Sequence, residues 1–316
     1  MHRISLFILL IFTNIQVLQA DYERGISFPK AEVINEYTTR IPFKIIDQLL
    51  VIEAETHDKK GNFIIDSGSE TLILNKLHFK TNLSKYKTTY GVNGSIENAQ
   101  EMKLREFILE NFSLKNKKTD IIDLSHIEEA KRIKLLGIIG FNILKDYEIF
   151  IDLYLQQITL SKIDKKGNTL NKEVYLEEIL DSIPFKLKKH AIVIEGQING
   201  LDVKLGIDSG AEFNQINKDI DPKILEVFQP KRRLKLTGAS KNQIYVLAGN
   251  LHRVQLSETI YFGPMLTIVT NLKNINFTFK SRLDGILGYE FFKQKRTIIN
   301  YKKEMLYFIA TPKQEN

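Results

Sequence analysis

The chain has 316 residues, enough for one large domain or two ordinary ones, and its 43% hydrophobic and 26% charged content excludes a disordered polymer. It has no cysteine, which excludes disulfides and thiolate chemistry. The net charge of +7 is scattered, and the short basic runs at Lys115–Lys118 and Lys231–Arg233 read as solvated loops, so no nucleic-acid partner is expected.

The first twenty residues have the three-part pattern of a secretory signal peptide: a basic start at His2 and Arg3, an apolar run from Ile4 to Phe12, and a small residue, Ala20, at the cleavage point. Thr13, Asn14 and Gln16 interrupt the run before it reaches the roughly 20 apolar residues of a membrane span. No cysteine follows Ala20, so a lipid anchor there is excluded, and no later stretch is long and apolar enough to span. An exported chain without disulfides fits a bacterial periplasmic or secreted protein. The stretch from Asp21 to Thr39 reads as an edge strand.

Most of the remaining chain reads as strand. LLVIEAET from Leu49 and AIVIEGQI from Ala191 are rich in β-branched residues. HDKKGN (from His57) and NGLD (from Asn199) stand where hairpin turns belong, and NFIID and KLGID are the returning strands. Another Asn-Gly turn is expected at Asn93-Gly94. Helices are expected over Leu124 to Lys134, over Lys172 to Asp181, and in the turns after Gly140 and Gly288. The fold class is mainly β, with closed or sandwiched antiparallel sheets.

The chain is also a tandem duplication. Ile41–Glu70 and Ile183–Glu212 align without a gap, and about a dozen of roughly thirty positions are identical, among them Ile-Pro-Phe-Lys, Val-Ile-Glu and Ile-Asp-Ser-Gly. Leu135–Leu160 likewise parallels Leu283–Phe308: Gly137 answers Gly285, Gly140 answers Gly288, and Asp152 answers Asn300. After the signal segment 1–20, the expected units are 21–165 and 166–316, with the boundary in the polar stretch around Asp164 to Lys172. Two copies suggest a functional site where they face each other, and one chain then supplies both halves of it.

Asp66 and Asp208 each end an apolar strand and lead into Ser-Gly. One such Asp is commonly a turn residue. Two at matching points of a duplication can meet, and two carboxylates in contact share a proton, so that one acts as acid while the other acts as base. Glu70 and Glu212, which follow the two motifs, read as exposed turn or helix-start residues. The six histidines form no metal-ligand spacing, and no nucleophile elbow or phosphate loop is present, so neither a metal nor a cofactor is expected.

These motifs resemble the pepsin and retropepsin aspartic proteases. Phe63-Ile-Ile-Asp-Ser-Gly-Ser69 and Leu205-Gly-Ile-Asp-Ser-Gly-Ala211 resemble that family's catalytic loops, Leu135–Gly140 and Gly285–Gly288 its apolar-apolar-Gly segment, and Ile149–Leu160 and Thr297–Phe308 its closing strands. The resemblance implies two homologous β-barrel-like lobes of the acid protease fold, related by a pseudo-twofold axis. It implies an aspartic endopeptidase in which Asp66 and Asp208 hold the attacking water, acting on peptide or protein substrates as a monomer. Ser67 and Ser209 would lock the loops together, and Gly68 and Gly210 would let them approach and offer N–H groups. Ser69 would donate its hydroxyl to Asp66, which Ala211 cannot do for Asp208. Tyr90 and Gly91 would sit on a mobile flap over the cleft. The alternative is a non-catalytic, peptide-binding periplasmic protein that retains the fold.

Overall fold

The computed structural model describes residues 25–79, 86–91, 94–172, 178–237 and 243–311. Segment 1–20 lies outside them. The described chain is mainly β, as the sequence suggests, and three sheets hold its strands.

An eight-stranded sheet is built from the first copy, between Lys44 and Ile139, and a ten-stranded sheet from the second, between Lys186 and Leu287. The hairpins that open them are twins. Leu49–Thr56 turns at His57 and Asp58, with φ of 49° and 58°, into Lys59–Ile65; Ala191–Ile198 turns at Asn199 and Gly200, with φ of 53° and 76°, into Leu201–Ile207. Positive φ at both central residues is the two-residue turn that suits the twist of antiparallel strands. The first turn is therefore shorter than expected, because Lys59 to Asn62 already pair across the hairpin.

A seven-stranded sheet joins the copies. From Thr38–Pro42 its order runs Gln157–Lys162, Tyr147–Asp152, Arg296–Asn300, Met305–Ile309, Ile179–Pro184. The first three strands are the duplication partners of the last three in reverse, so the order is palindromic about the central antiparallel pair, Glu148 opposite Asn300 through Ile151 opposite Thr297. Glu32–Asn35 adds an outer edge strand, as expected for the segment before Thr39. Across the central pair, Asp152 Oδ2 accepts from Arg296 Nε at 3.0 Å and Nη2 at 2.7 Å. The duplication-related pair is Glu148 and Asn300, where the Asn300 amide donates to Glu148 Oε2 at 2.8 Å.

Packing repeats the duplication too. Val51, Leu124, Leu135 and Ile138 form one satellite cluster, and their counterparts Val193, Leu272, Leu283 and Ile286 form another. The main core runs through both copies, from Phe43, Phe63 and Phe107 to Phe291 and Phe308.

Three expectations are corrected. Leu124 to Lys134 is helical only over Ser125–Lys131, because Arg132 takes a left-handed conformation and its N–H caps the last turn. Within Lys172 to Asp181, residues 173–177 lie outside the described residues and Ile179–Pro184 is a strand, since Met305–Ile309 offers it a complete ladder of backbone partners. The basic runs are strands and not loops: Lys115–Lys118 falls within Phe112–Ile122 and Lys231–Arg233 within Phe228–Thr237. Their side chains are mostly exposed on the outer faces, and Lys118 pairs with Glu101 at 3.0 Å. The turns after Gly140 and Gly288 are short helices, Phe141–Leu144 and Tyr289–Gln294. Among the described residues no helix is long and apolar enough to cross a membrane.

Candidate active site

Each Asp-Ser-Gly loop is placed by the same three strands. Lys59–Ile65 ends immediately before Asp66, and Leu135–Ile139 lies beside it in parallel, flanked on its other side by antiparallel Leu72–Asn75. In the second copy Leu201–Ile207, Gly285–Leu287 and Asn214–Asn217 repeat this. The inserted strand holds the loop: Asp66 N–H donates to the Ile139 carbonyl at 3.0 Å and Asp208 N–H to the Leu287 carbonyl at 2.9 Å. The helices after the inserted strands start on the loops, with Phe141 N–H bonded to the Ser69 carbonyl and Tyr289 N–H to the Ala211 carbonyl. Gly137 and Gly285 pass so close to the backbone of Ile73 and Gln215 that a side chain has no room.

The two loops meet. Ser67 N–H donates to Ser209 Oγ at 3.0 Å and Ser209 N–H donates to Ser67 Oγ at 2.9 Å, a reciprocal pair joining residues 142 apart. Ser209 Oγ donates onward to the Ile65 carbonyl at 3.0 Å. Gly68 faces the Asp208 carboxylate and Gly210 the Asp66 carboxylate; a Cβ on Gly68 would lie 2.5 Å from Asp208 Oδ2, and one on Gly210 would lie 2.7 Å from Asp66 Oδ1. Gly68→Ala is therefore expected to lower stability by about 1–3 kcal/mol, the usual cost of overpacking. Gly206→Ala is the control: its Cβ would first meet Leu283 Cδ1 at 3.4 Å, an ordinary contact, and thermal melts should separate the two.

The carboxylates touch each other and remain half-buried. Burial first, then the charge of Asp208 and a hydrogen bond shared with it, hold the Asp66 carboxyl well above the usual carboxylate range; the N–H groups of Gly68 and Ser69 pull it the other way. Gly68 N–H reaches Asp66 Oδ1 at 2.8 Å and Ser69 N–H reaches it at 3.0 Å, whereas Asp208 Oδ1 accepts from Gly210 N–H at 2.9 Å. The pair is unequal, though not for the expected reason. The Ser69 hydroxyl turns away and donates to the Thr71 carbonyl at 3.3 Å, so Ser69 serves Asp66 through its backbone.

The expected flap is a backbone hairpin, Tyr86–Gly91 against the start of Gly94–Leu109, with Tyr90 opposite Ser95 and Gly91 opposite Gly94. Gly94 is thus a paired strand residue and not a turn residue; residues 92 and 93 lie outside the described ones. The backbone of Tyr86–Gly91 comes against the helix Lys273–Phe279 of the second copy.

Three residues near the loops carry no motif in the sequence. His190 reaches the Gly68 carbonyl, with Nε2 at 3.0 Å. Tyr301 is buried beneath the loops, edge-on to Phe141 at 5.0 Å; burial pushes its phenol up, and the hydroxyl lies near Ser67 without a well-formed hydrogen bond. Lys131 pairs with Glu212 at 2.7 Å across the two copies, so Glu212 is half-buried, while Glu70 is exposed as expected. The duplication carried a signal for His190, since it aligns with polar Gln48 at the same turn. Among the described residues no group of three His, Cys, Asp or Glu stands close enough to hold a metal ion.

No family model matches the chain, and no curated protein matches it. Among solved structures, the crystal structure of a retropepsin-like aspartic protease from Rickettsia conorii is similar, with 20% sequence identity and a TM-score of 0.31; the match covers 43% of this chain and 96% of that one.

Proposed function

We propose that the chain is an aspartic endopeptidase of the pepsin and retropepsin type, whose catalytic groups are Asp66 and Asp208. The observation that carries this reading is the contact between the two carboxylates at the meeting point of two Asp-Ser-Gly loops locked by the reciprocal Ser67 and Ser209 bonds. A purely peptide-binding protein has no need to hold two carboxylates against each other at such electrostatic cost. Two like charges held against each other in a half-buried site repel, which favours a single proton held between them. The pair therefore shares one proton, and its apparent titration values belong to both groups.

In the proposed reaction the ionised member takes a proton from a water held between the carboxylates, and the oxygen of that water attacks the scissile carbonyl carbon. The protonated member gives its proton to the carbonyl oxygen. Collapse of the tetrahedral intermediate breaks the C–N bond, the amine leaves with a proton, and the dyad returns to its singly protonated state. We further propose two lobes, 21–165 and 166–316, related by a pseudo-twofold axis; the palindromic strand order and the twin satellite clusters support this. The Tyr86–Gly91 hairpin is proposed as a flap bearing Tyr90 and Gly91, closing on an extended peptide. Export to the periplasm or the medium, with removal of segment 1–20, completes the proposal.

Purified protein lacking segment 1–20 is expected to cleave unstructured peptides internally. A peptide analogue with a hydroxyl-bearing tetrahedral carbon at the scissile position should inhibit it. Absence of cleavage across a diverse peptide library, from acidic to neutral pH, would sink the reading.

A further inference from the structure

His190 stands at the turn between Lys186–Lys188 and Ala191–Ile198 in the second copy, and its ring crosses to the loop of the first. Its partner, the Gly68 carbonyl oxygen, has no proton to give, so Nε2 carries the hydrogen and donates. That carbonyl belongs to the same peptide group as the Ser69 N–H, and the Ser69 N–H donates to Asp66 Oδ1 at 3.0 Å. Two hydrogen bonds thus run in series, from imidazole N–H through one amide to the carboxylate. A donor on the carbonyl polarises the amide and makes its N–H a stronger donor.

Asp208 lacks this chain. The N–H of Ala211 goes to the backbone carbonyl of Asp208 at 3.2 Å and not to its carboxylate, whereas the Ser69 N–H is shared between the Asp66 backbone carbonyl, at 3.3 Å, and the Asp66 carboxylate. Gln48, which aligns with His190, has its Oε1 buried without a hydrogen-bond partner, and among the described residues no side chain donates to the Gly210 carbonyl.

The surroundings fix the ring. His190 is 8% exposed, edge-on to Phe279 at 5.0 Å and tilted against Phe141 at 6.4 Å. Lys189 Nζ donates to the Thr278 carbonyl at 2.8 Å and ties the turn to the helix end. Nδ1 is buried without a partner, so a second proton there would have no acceptor. Of the charged groups that face the ring, Glu70 and Asp208 favour its protonation and Lys189 opposes it; the neighbouring helices contribute the rings of Phe279 and Phe141, which do not titrate. Burial is the largest influence and holds the imidazole below its ordinary value.

We propose that His190 is a positioning residue for Asp66, acting through the Gly68–Ser69 peptide to favour the ionised form of that carboxylate, a support that Asp208 lacks. The inference rests on the proposed dyad, and the test separates the two.

The carboxyl carbons of the aspartates are followed by 13C NMR through a pH titration in wild type, His190→Phe and His190→Gln. Phe fills the slot between Phe141 and Phe279 but has no donor; Gln restores an N–H at the distance of the imidazole Nε2 from the Gly68 carbonyl. In His190→Phe the Asp66 titration is expected to move up by about 0.3 to 1 unit, the size of one ordinary hydrogen bond, and to return near wild type in His190→Gln. The basic limb of kcat/KM should move the same way, with KM little changed. An unmoved titration in His190→Phe, or an equal shift in His190→Gln, overturns the proposal. Ring 15N shifts of the wild-type protein test it without any variant: Nε2 protonated and Nδ1 bare is expected at neutral pH, and the reverse tautomer overturns it. A shifted titration in a protein that cleaves no peptide keeps the role of His190 and sinks the protease reading. A fixed titration in an active enzyme does the opposite.

Discussion

Asp66→Asn and Asp208→Asn are each expected to reduce peptide cleavage by about 10²–10⁴-fold in kcat, the range that general acid–base catalysis supplies. Either change leaves a single carboxylate at the meeting point of the loops, which can act as base or as acid but not as both within one turnover. KM should change little, because an amide nearly fills the space of a carboxyl and the reciprocal Ser67 and Ser209 bonds do not involve it. Full activity in either variant would remove that residue from the mechanism. The same variants report on stability. The Asp66 carboxyl is raised in the folded protein, chiefly by burial and then by the charge of Asp208, so its contribution is fully present below the unfolded value and is lost as pH rises through the folded one. Asp66→Asn lacks that pH dependence. The variant should therefore gain melting temperature relative to wild type as pH rises from the ordinary carboxylate range toward neutrality, and a difference independent of pH would contradict the assignment.

Asp152→Ala is expected to destabilise the fold by about 3–5 kcal/mol, measured by denaturant unfolding, because it strands a buried cation. Arg296 is 5% exposed and Asp152 is fully buried. The carboxylate accepts twice from the guanidinium on Oδ2 and twice, on Oδ1, from the N–H groups of Tyr154 and Leu155, each at 3.0 Å. Arg296 also donates to the Ala310 carbonyl at 2.6 Å and lies over the Phe150 ring at 5.0 Å. The pair bridges the two central strands of the sheet that joins the copies, so its loss acts where the halves are held together. Replacing both partners by apolar residues of similar volume should recover most of the loss, since no uncompensated charge then remains. A double variant as unstable as Asp152→Ala would show that the pair contributes by geometry and not by charge compensation.

Much of the architecture could be read from the chain because the duplication supplied two readings of each element. LLVIEAET and AIVIEGQI are strands from first to last residue, Asn199-Gly200 is the turn that its chemistry demands, and Gly137 and Gly285 are glycines because carbonyl oxygens lie against them. Local chemistry decides such features, and local chemistry is written in sequence. Ile179–Pro184 could not be read so: its partner, Met305–Ile309, is far along the chain, and the ladder between them overrides any local preference. The basic run Lys115–Lys118 misled for a related reason, since an exposed strand face is as polar as a loop.

At the site the division is the same. The residues of the two loops are legible in the chain: Asp66, Ser67 and Gly68 in one, Asp208, Ser209 and Gly210 in the other. The spacing of the copies put them in matching places. Folding is what brings the carboxylates together, turns the Ser69 hydroxyl to Thr71 while its N–H serves Asp66, and carries His190 across to the peptide behind it. Those are contacts between segments more than a hundred residues apart, or choices among hydrogen-bond acceptors that lie equally near in the sequence. Packing settles them, because a buried donor takes the acceptor that the fold leaves within reach.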